Sequence, residues 1–172
     1  MTIATLDALS EPQACEALAR CCGASRWVDT MLAARPFKDS AGLFAACTRA
    51  DAQLKDADHR EAFTHHPRIG DIDALRTRFA ATAAWAGNEQ SGVAVASEAT
   101  LQALAAGNAA YEARYGYRFI VCATGLSGDE LLARLLARMA NDPDDELRIA
   151  AAEQAKITRL RLEKLIAEEA AS

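Results

Sequence analysis

The sequence predicts an all-α fold: a single domain over residues 1–172, built as a multi-helix bundle of about eight helices with one short buried extended segment. Alanine and leucine dominate a chain that is 51% hydrophobic but only 6% aromatic, and β-branched residues are sparse, a balance that favours helix over sheet. Most apolar residues recur at three- and four-residue spacing, the period of a helix with one buried face. Capping residues, glycines and prolines punctuate that pattern at helix-length intervals. At this length one domain can bury roughly 70% of its unfolded surface, so the core needs no covalent staples.

Ser10 begins the first expected helix, with Gln13 completing a capping box, Pro12 tolerated in the first turn and Gly23 suited to stop it. A helix through Trp27 and Leu32 should end before Pro36. Asp39 or Ser40 caps the next, with Leu43, Phe44 and Cys47 on its apolar side, and Asp56 or Asp58 opens the one that delivers Phe63 and His66. Helix resumes near Asp73, and Gly87 suggests a break after Trp85. Ser97 starts a helix that runs to about Gly116. Phe119-Ile120-Val121-Cys122-Ala123 is too short and too β-branched for a helix, and reads as the buried extended passage. Its backbone groups have no sheet to pair with, so they need side chains or a ligand, unless the passage is an ordinary buried connector. Ser127 and Glu130 form a second capping box for a helix with Leu131, Leu132, Leu135, Leu136 and Met139 inward. Asn141 ends that helix. Asp142-Pro143-Asp144-Asp145-Glu146 then gives a strong start to a long last helix.

Composition excludes several function classes. A net charge of -5 with dispersed Lys and Arg lacks the basic face that nucleic-acid binding requires. No stretch has the apolar length needed to cross a membrane, and neither a secretory leader nor a peroxisomal tripeptide is expected. Five cysteines, Cys15, Cys21, Cys22, Cys47 and Cys122, with no C-x-x-C spacing, suggest neither a disulfide framework nor zinc, and fit a reducing cytoplasm.

Reactive chemistry is most concentrated in Phe63-Thr64-His65-His66-Pro67-Arg68-Ile69-Gly70-Asp71. Proline disfavours helical geometry in the residue before it, so His66 should sit just past a helix end with its ring at a fixed exit angle. It either faces a pocket or covers the last carbonyls of the preceding helix. In the last helix, Arg161 falls on the stripe of Leu147, Ala151, Gln154, Ile157 and Leu165, which points it inward unless its head snorkels out to water. The stripe offers no partner, so an inward guanidinium implies a ligand or a carboxylate from another helix. Arg159 instead pairs with Glu163 one turn on.

His66-Pro67-Arg68-Ile69-Gly70-Asp71, Glu89-Gln90, the stretch from Asn108 to Gly125 and Lys156-Ile157-Thr158-Arg159-Leu160-Arg161-Leu162 together resemble the OHCU decarboxylase family, OHCU being 2-oxo-4-hydroxy-4-carboxy-5-ureidoimidazoline. The match runs in order from Arg35-Pro36-Phe37 to about Leu165. The resemblance implies a cofactor-free, metal-free helical enzyme, usually a homodimer, that decarboxylates this last intermediate of urate oxidation to (S)-allantoin. It also implies His66, Glu89 and Arg161 as catalytic residues. Pro67, Gln90 and the main chain of Phe119, Ile120 and Val121 would contact the substrate. Many members carry a serine where this chain has Ala86, so a hydroxyl contact is missing unless Thr82 or a water replaces it.

Three rival readings remain. A metal-dependent hydrolase could use His59, His65, His66, Asp71 and Asp73, but no His-x-x-x-His pattern appears and adjacent histidines point apart. A non-catalytic helical module could dock a partner through acidic and alanine-rich faces. A thiol mechanism through Cys122 is disfavoured by its apolar setting.

Overall fold

The computed structural model describes residues 1–66 and 97–167. Among these, eight helices and no strand occur: α1 Ile3–Ala8, α2 Glu11–Ala19, α3 Ser25–Ala33, α4 Ser40–Asp51, α5 Asp56–Thr64, α6 Glu98–Tyr115, α7 Gly128–Arg138 and α8 Pro143–Ala167. The expected all-α class holds. The helices group into two compact units, Met1–His65 with Ala151–Ser172, and His66–Ala150.

In the first unit α3 packs against α2, α4 and α5. Leu6, Leu18, Trp27, Met31, Leu43, Phe63 and Leu162 are fully buried there, each worth about 1.5–3 kcal/mol in surface removed from water. The expected start signals are in place. Gln13 Oε1 accepts from the Ser10 N–H at 3.2 Å and from its hydroxyl at 2.8 Å, and Asp39 Oδ1 accepts from the Gly42 N–H at 2.8 Å. Asp58 reaches back to the Lys55 N–H at 2.9 Å, satisfying a donor at the head of α5. Two expectations need correction. A six-residue α1, capped by Thr2 accepting from the Thr5 N–H at 3.0 Å, precedes the helix expected to be first. Gly23 lies past the end of α2 and serves a close approach: a Cβ there would sit 2.3 Å from Cγ of His65.

In the second unit α6 packs against α7. The helices meet closely at Gly107, where a Cβ would stand 2.7 Å from Cδ2 of Leu135. Gly116, in the left-handed region at φ 76°, ends α6 with its N–H on the Glu112 carbonyl. The Ser127–Glu130 capping box opens α7, and Asp142 Oδ1 accepts from the Asp144 N–H at 2.9 Å at the start of α8. Leu131 and Leu135 point inward as expected. Leu136 does not: it is 58% exposed, because it lies 100° of helix rotation from its neighbour Leu135 and falls outside the buried stripe.

Residues 118–123, which include the passage expected at 119–123, belong to no helix or strand, with Phe119, Ile120 and Val121 buried. Phe119 joins Tyr111, Tyr115 and Tyr117 in an aromatic cluster; the Phe119 and Tyr115 ring centroids lie 5.1 Å and 4.7 Å from that of Tyr111. The Tyr115 hydroxyl lies 2.9, 3.2 and 3.0 Å from the carbonyl oxygens of Arg138, Met139 and Asn141. The Arg138 carbonyl also accepts from the Asn141 N–H at 3.2 Å, and the Asn141 carbonyl from Nη2 of Arg114 at 3.3 Å.

Beside this cluster lies a charged network absent from the sequence expectations. Glu146, with no solvent exposure, accepts from the Tyr111 hydroxyl, from Nε of Arg138 at 2.7 Å and from Nη2 of Arg138, while its other oxygen accepts from Asn141 Nδ2 at 2.7 Å. The remaining fork of Arg138, Nη1, donates to the Ile120 carbonyl at 2.7 Å, and the guanidinium carbon stands 4.6 Å from the Phe119 ring centroid. A buried ion pair persists only when its remaining donors and acceptors are also satisfied, and here they are.

Candidate functional site

Proline chemistry and helix capping together place His66. α5 ends at Thr64, and the His65 N–H turns back to the Ala62 carbonyl at 3.2 Å, so the chain leaves helical geometry one residue before His66. His66 is half-buried. Its carbonyl accepts from Nη1 of Arg118. The structure therefore places the histidine just past a helix end, as the sequence predicts, and ties it to the residue that opens the extended passage.

Along that passage, Arg138 takes the Ile120 carbonyl. Among the described residues no backbone carbonyl accepts from the N–H groups of Phe119, Ile120 and Val121, although the three residues are 3%, 1% and 6% exposed. Buried N–H groups at such depth ordinarily have partners. Buried donors of this kind can donate to a ligand's oxygen or ring nitrogen.

Arg161 lies in the other unit and is partly buried. Its Nη1 donates to the carbonyls of Cys21 at 3.3 Å and Arg20 at 3.5 Å, just past the end of α2. The expectation that an inward Arg161 needs a ligand or a carboxylate is corrected in part, because main-chain carbonyls serve it. These contacts are long and engage one nitrogen, leaving Nε and Nη2 without partners among the described residues. The buried face of α8 also differs slightly from the expected stripe. Leu147, Gln154, Thr158, Leu162 and Leu165 are buried, whereas Ile157 and Arg161 flank them. Arg159 pairs with Glu163 at 3.2 Å as expected, and also covers the Phe44 ring at 4.3 Å.

Pro67, Glu89 and Gln90, with Thr82 and Ala86, lie outside the described residues. So do Asp71 and Asp73 of the metal reading; among the described residues no three His, Cys, Asp or Glu side chains stand together as metal ligands. His65 lies against Gly23, and His59 stacks on Phe63 at 6.4 Å. Burial lowers the His59 pKa below its ordinary value.

A family model described as OHCU decarboxylase matches residues 7–163. The chain belongs to the OHCU decarboxylase family. It is 37% identical over 153 residues to the uric acid degradation bifunctional protein TTL of Arabidopsis thaliana, an alignment covering 87% of this chain and 46% of that protein, so it spans less than half of that relative's length. It is 32% identical over 133 residues to the 2-oxo-4-hydroxy-4-carboxy-5-ureidoimidazoline decarboxylase of Amia calva, covering 77% of this chain and 75% of that one. A crystal structure of OHCU decarboxylase in the presence of (S)-allantoin superposes with a TM-score of 0.69 at 34% identity, covering 87% of this chain and 96% of the other. A crystal structure of (S)-allantoin synthase shares the fold at 19% identity and the same TM-score, covering 96% of this chain and 54% of that one.

In this OHCU decarboxylase family member the buried thiols are poor nucleophiles. Burial raises Cys21 to about 11 and Cys47 to about 12. Cys47 lies beside Asp51, its Sγ donating to Oδ2 at 3.7 Å, and burial likewise raises the Asp51 carboxyl above its ordinary 3.8. A carboxyl with a raised folded pKa binds its proton more tightly folded than unfolded. Its ionised form therefore costs stability above the folded pKa, and that cost vanishes below 3.8. Asp51→Asn is thus expected to raise the thermal midpoint at pH 7, with the gain fading as unfolding is followed by circular dichroism down to pH 3.5; a midpoint at pH 7 no higher than the parent's would contradict it.

Proposed function

We propose that the chain decarboxylates OHCU to (S)-allantoin and carbon dioxide, closing the oxidation of urate. The observation that carries this reading is its likeness to the OHCU decarboxylase solved in the presence of (S)-allantoin, at 34% identity over 87% of this chain. The chemistry needs no cofactor. The departing carboxylate sits on a carbon next to a ring C=N, so when the C–C bond breaks its electron pair moves into that double bond. A proton then adds to one face of the neighbouring carbon. The protein's tasks are to hold the carboxylate out of the ring plane, to stabilise the developing charge and to deliver that proton.

His66 transfers the proton that sets the configuration, aided by the exit angle that Pro67 imposes. Glu89 accepts from ureido or ring N–H groups and orients His66, and Gln90 adds an amide contact. Arg161 binds an oxygen pair of the substrate with its unengaged nitrogens, a contact worth roughly 1.5–3 kcal/mol. The main chain of Phe119, Ile120 and Val121 contacts the substrate, with their N–H groups as donors. The acting species in this reading is a cytoplasmic homodimer of single-domain chains covering residues 1–172, working on a free small molecule without nucleic acid, membrane or metal.

The test generates the unstable substrate from urate with the two preceding enzymes, adds this protein and follows optical rotation. Rapid appearance of the single (S) enantiomer is expected. Racemic allantoin at the uncatalysed rate would overturn the assignment.

A further inference from the structure

We propose that Arg118 is a positioning residue that fixes where His66 presents its proton relative to the substrate-binding main chain, and so governs the stereochemical fidelity of the reaction. The inference rests on the decarboxylase reading above and extends it to a residue with no assigned role. Its basis is the bond from Nη1 of Arg118 to the carbonyl of His66, which joins positions 52 residues apart in sequence.

Three features make this bond a positioning device. First, its base is rigid. Arg118 immediately precedes Phe119, whose ring lies 4.6 Å under the Arg138 guanidinium, and Ile120, whose carbonyl Arg138 holds at 2.7 Å. Arg138 is in turn locked by Glu146, which is fully buried. Second, the tie spans 52 residues from the passage to the residue just past the end of α5 at Thr64, so the turn is held from outside its own helix. Third, a charged donor on a carbonyl makes a stronger bond than a neutral pair. Fixing that carbonyl fixes ψ of His66, and with it the direction in which the Cα–Cβ bond leaves the turn. The same short segment therefore presents the main chain of Phe119–Val121 and sets the path of the histidine, coupling the two through one guanidinium.

A proton delivered from a displaced imidazole arrives late or from the wrong face. Loss of the tie should therefore lower kcat and enantiomeric excess while leaving KM close to the parent value, as expected of a residue that acts through His66. A misplacement of about 1 Å can cost on the order of 100-fold in rate.

The experiment compares wild type, Arg118→Ala and Arg118→Lys for kcat, KM, thermal midpoint and the enantiomeric excess of allantoin measured by chiral chromatography immediately after turnover. The expected result for Arg118→Ala is a kcat lowered on the order of 10- to 100-fold. Its product should be partly racemic, with KM changed less than threefold and the midpoint near the parent's. Arg118→Lys, which keeps a cationic donor, should recover part of both kcat and enantiomeric excess. Parent kcat and enantiomeric excess in Arg118→Ala would overturn the proposal, as would a rate loss in both variants with enantiomeric excess intact. Failure of the wild-type protein itself to make (S)-allantoin would be a different result, overturning the functional reading instead.

Discussion

His66→Ala is expected to lower kcat for (S)-allantoin formation by about 10²–10⁴-fold, the usual worth of a positioned acid–base group, while the fold survives. The side chain is half-buried and follows the end of α5, so its removal opens no core cavity. The bond from Arg118 goes to the His66 carbonyl, which alanine retains, so the main-chain path through the turn is preserved. Only the imidazole is lost. Steady-state rates with the substrate generated in place, set beside thermal unfolding, separate the two consequences. A variant that unfolds near the parent midpoint and turns over near the parent rate would remove His66 from the chemistry.

The largest stability effect is expected at Glu146. Glu146→Ala leaves the Arg138 guanidinium, itself only 11% exposed, without its anion, and strips acceptors from Tyr111 and Asn141. Breaking a buried pair from one side costs about 3–5 kcal/mol because the surviving charge stays buried. That is a large share of the 5–15 kcal/mol stability of an ordinary domain, roughly stated. Urea unfolding should show the midpoint displaced with an unchanged slope. A loss below about 1 kcal/mol would mean that Arg138 escapes to water, contrary to its hold on the Ile120 carbonyl. The Tyr111 hydroxyl gives an independent readout. Burial and the bond to Glu146 push its pKa well above the ordinary 10, a shift that Glu146→Ala should reduce.

Most helix starts were legible because they rest on local chemistry: Ser10 with Gln13, Asp39, Ser97, and Ser127 with Glu130 each act on neighbours within one turn. The extended passage was legible for a related reason, being apolar and β-branched over too few residues to make a helix. What stayed hidden was either too short or too distant. α1 has six residues and one buried side chain, Leu6, which gives no periodicity to read. Leu136 resembled its neighbour Leu135 in type, and only the angle between them on α7 separates core from solvent.

The candidate site shows the same division. His66 and Arg161 announce themselves by the following proline and by helical spacing, but their partners do not. Arg118 is 52 residues from His66, and the Cys21 carbonyl is 140 residues from Arg161. Glu146 is read from the sequence only as part of the acidic start of the last helix, and Arg138 is not singled out. The available signal was the Leu131, Leu135, Arg138 spacing, which carries the buried stripe of α7 to an arginine and so demands an anion nearby.

The cysteines give this protein a set of internal chemical clocks. Cys15 is exposed, whereas Cys21, Cys22 and Cys47 are buried and all three have raised pKa values. An alkylating reagent at neutral pH therefore marks Cys15 first and reaches Cys21, Cys22 and Cys47 only when their surroundings open, while Cys122, of intermediate exposure and in the second unit, is followed separately. Following adducts at Cys21, Cys22 and Cys47 by peptide mass over time would report how often the first unit breathes.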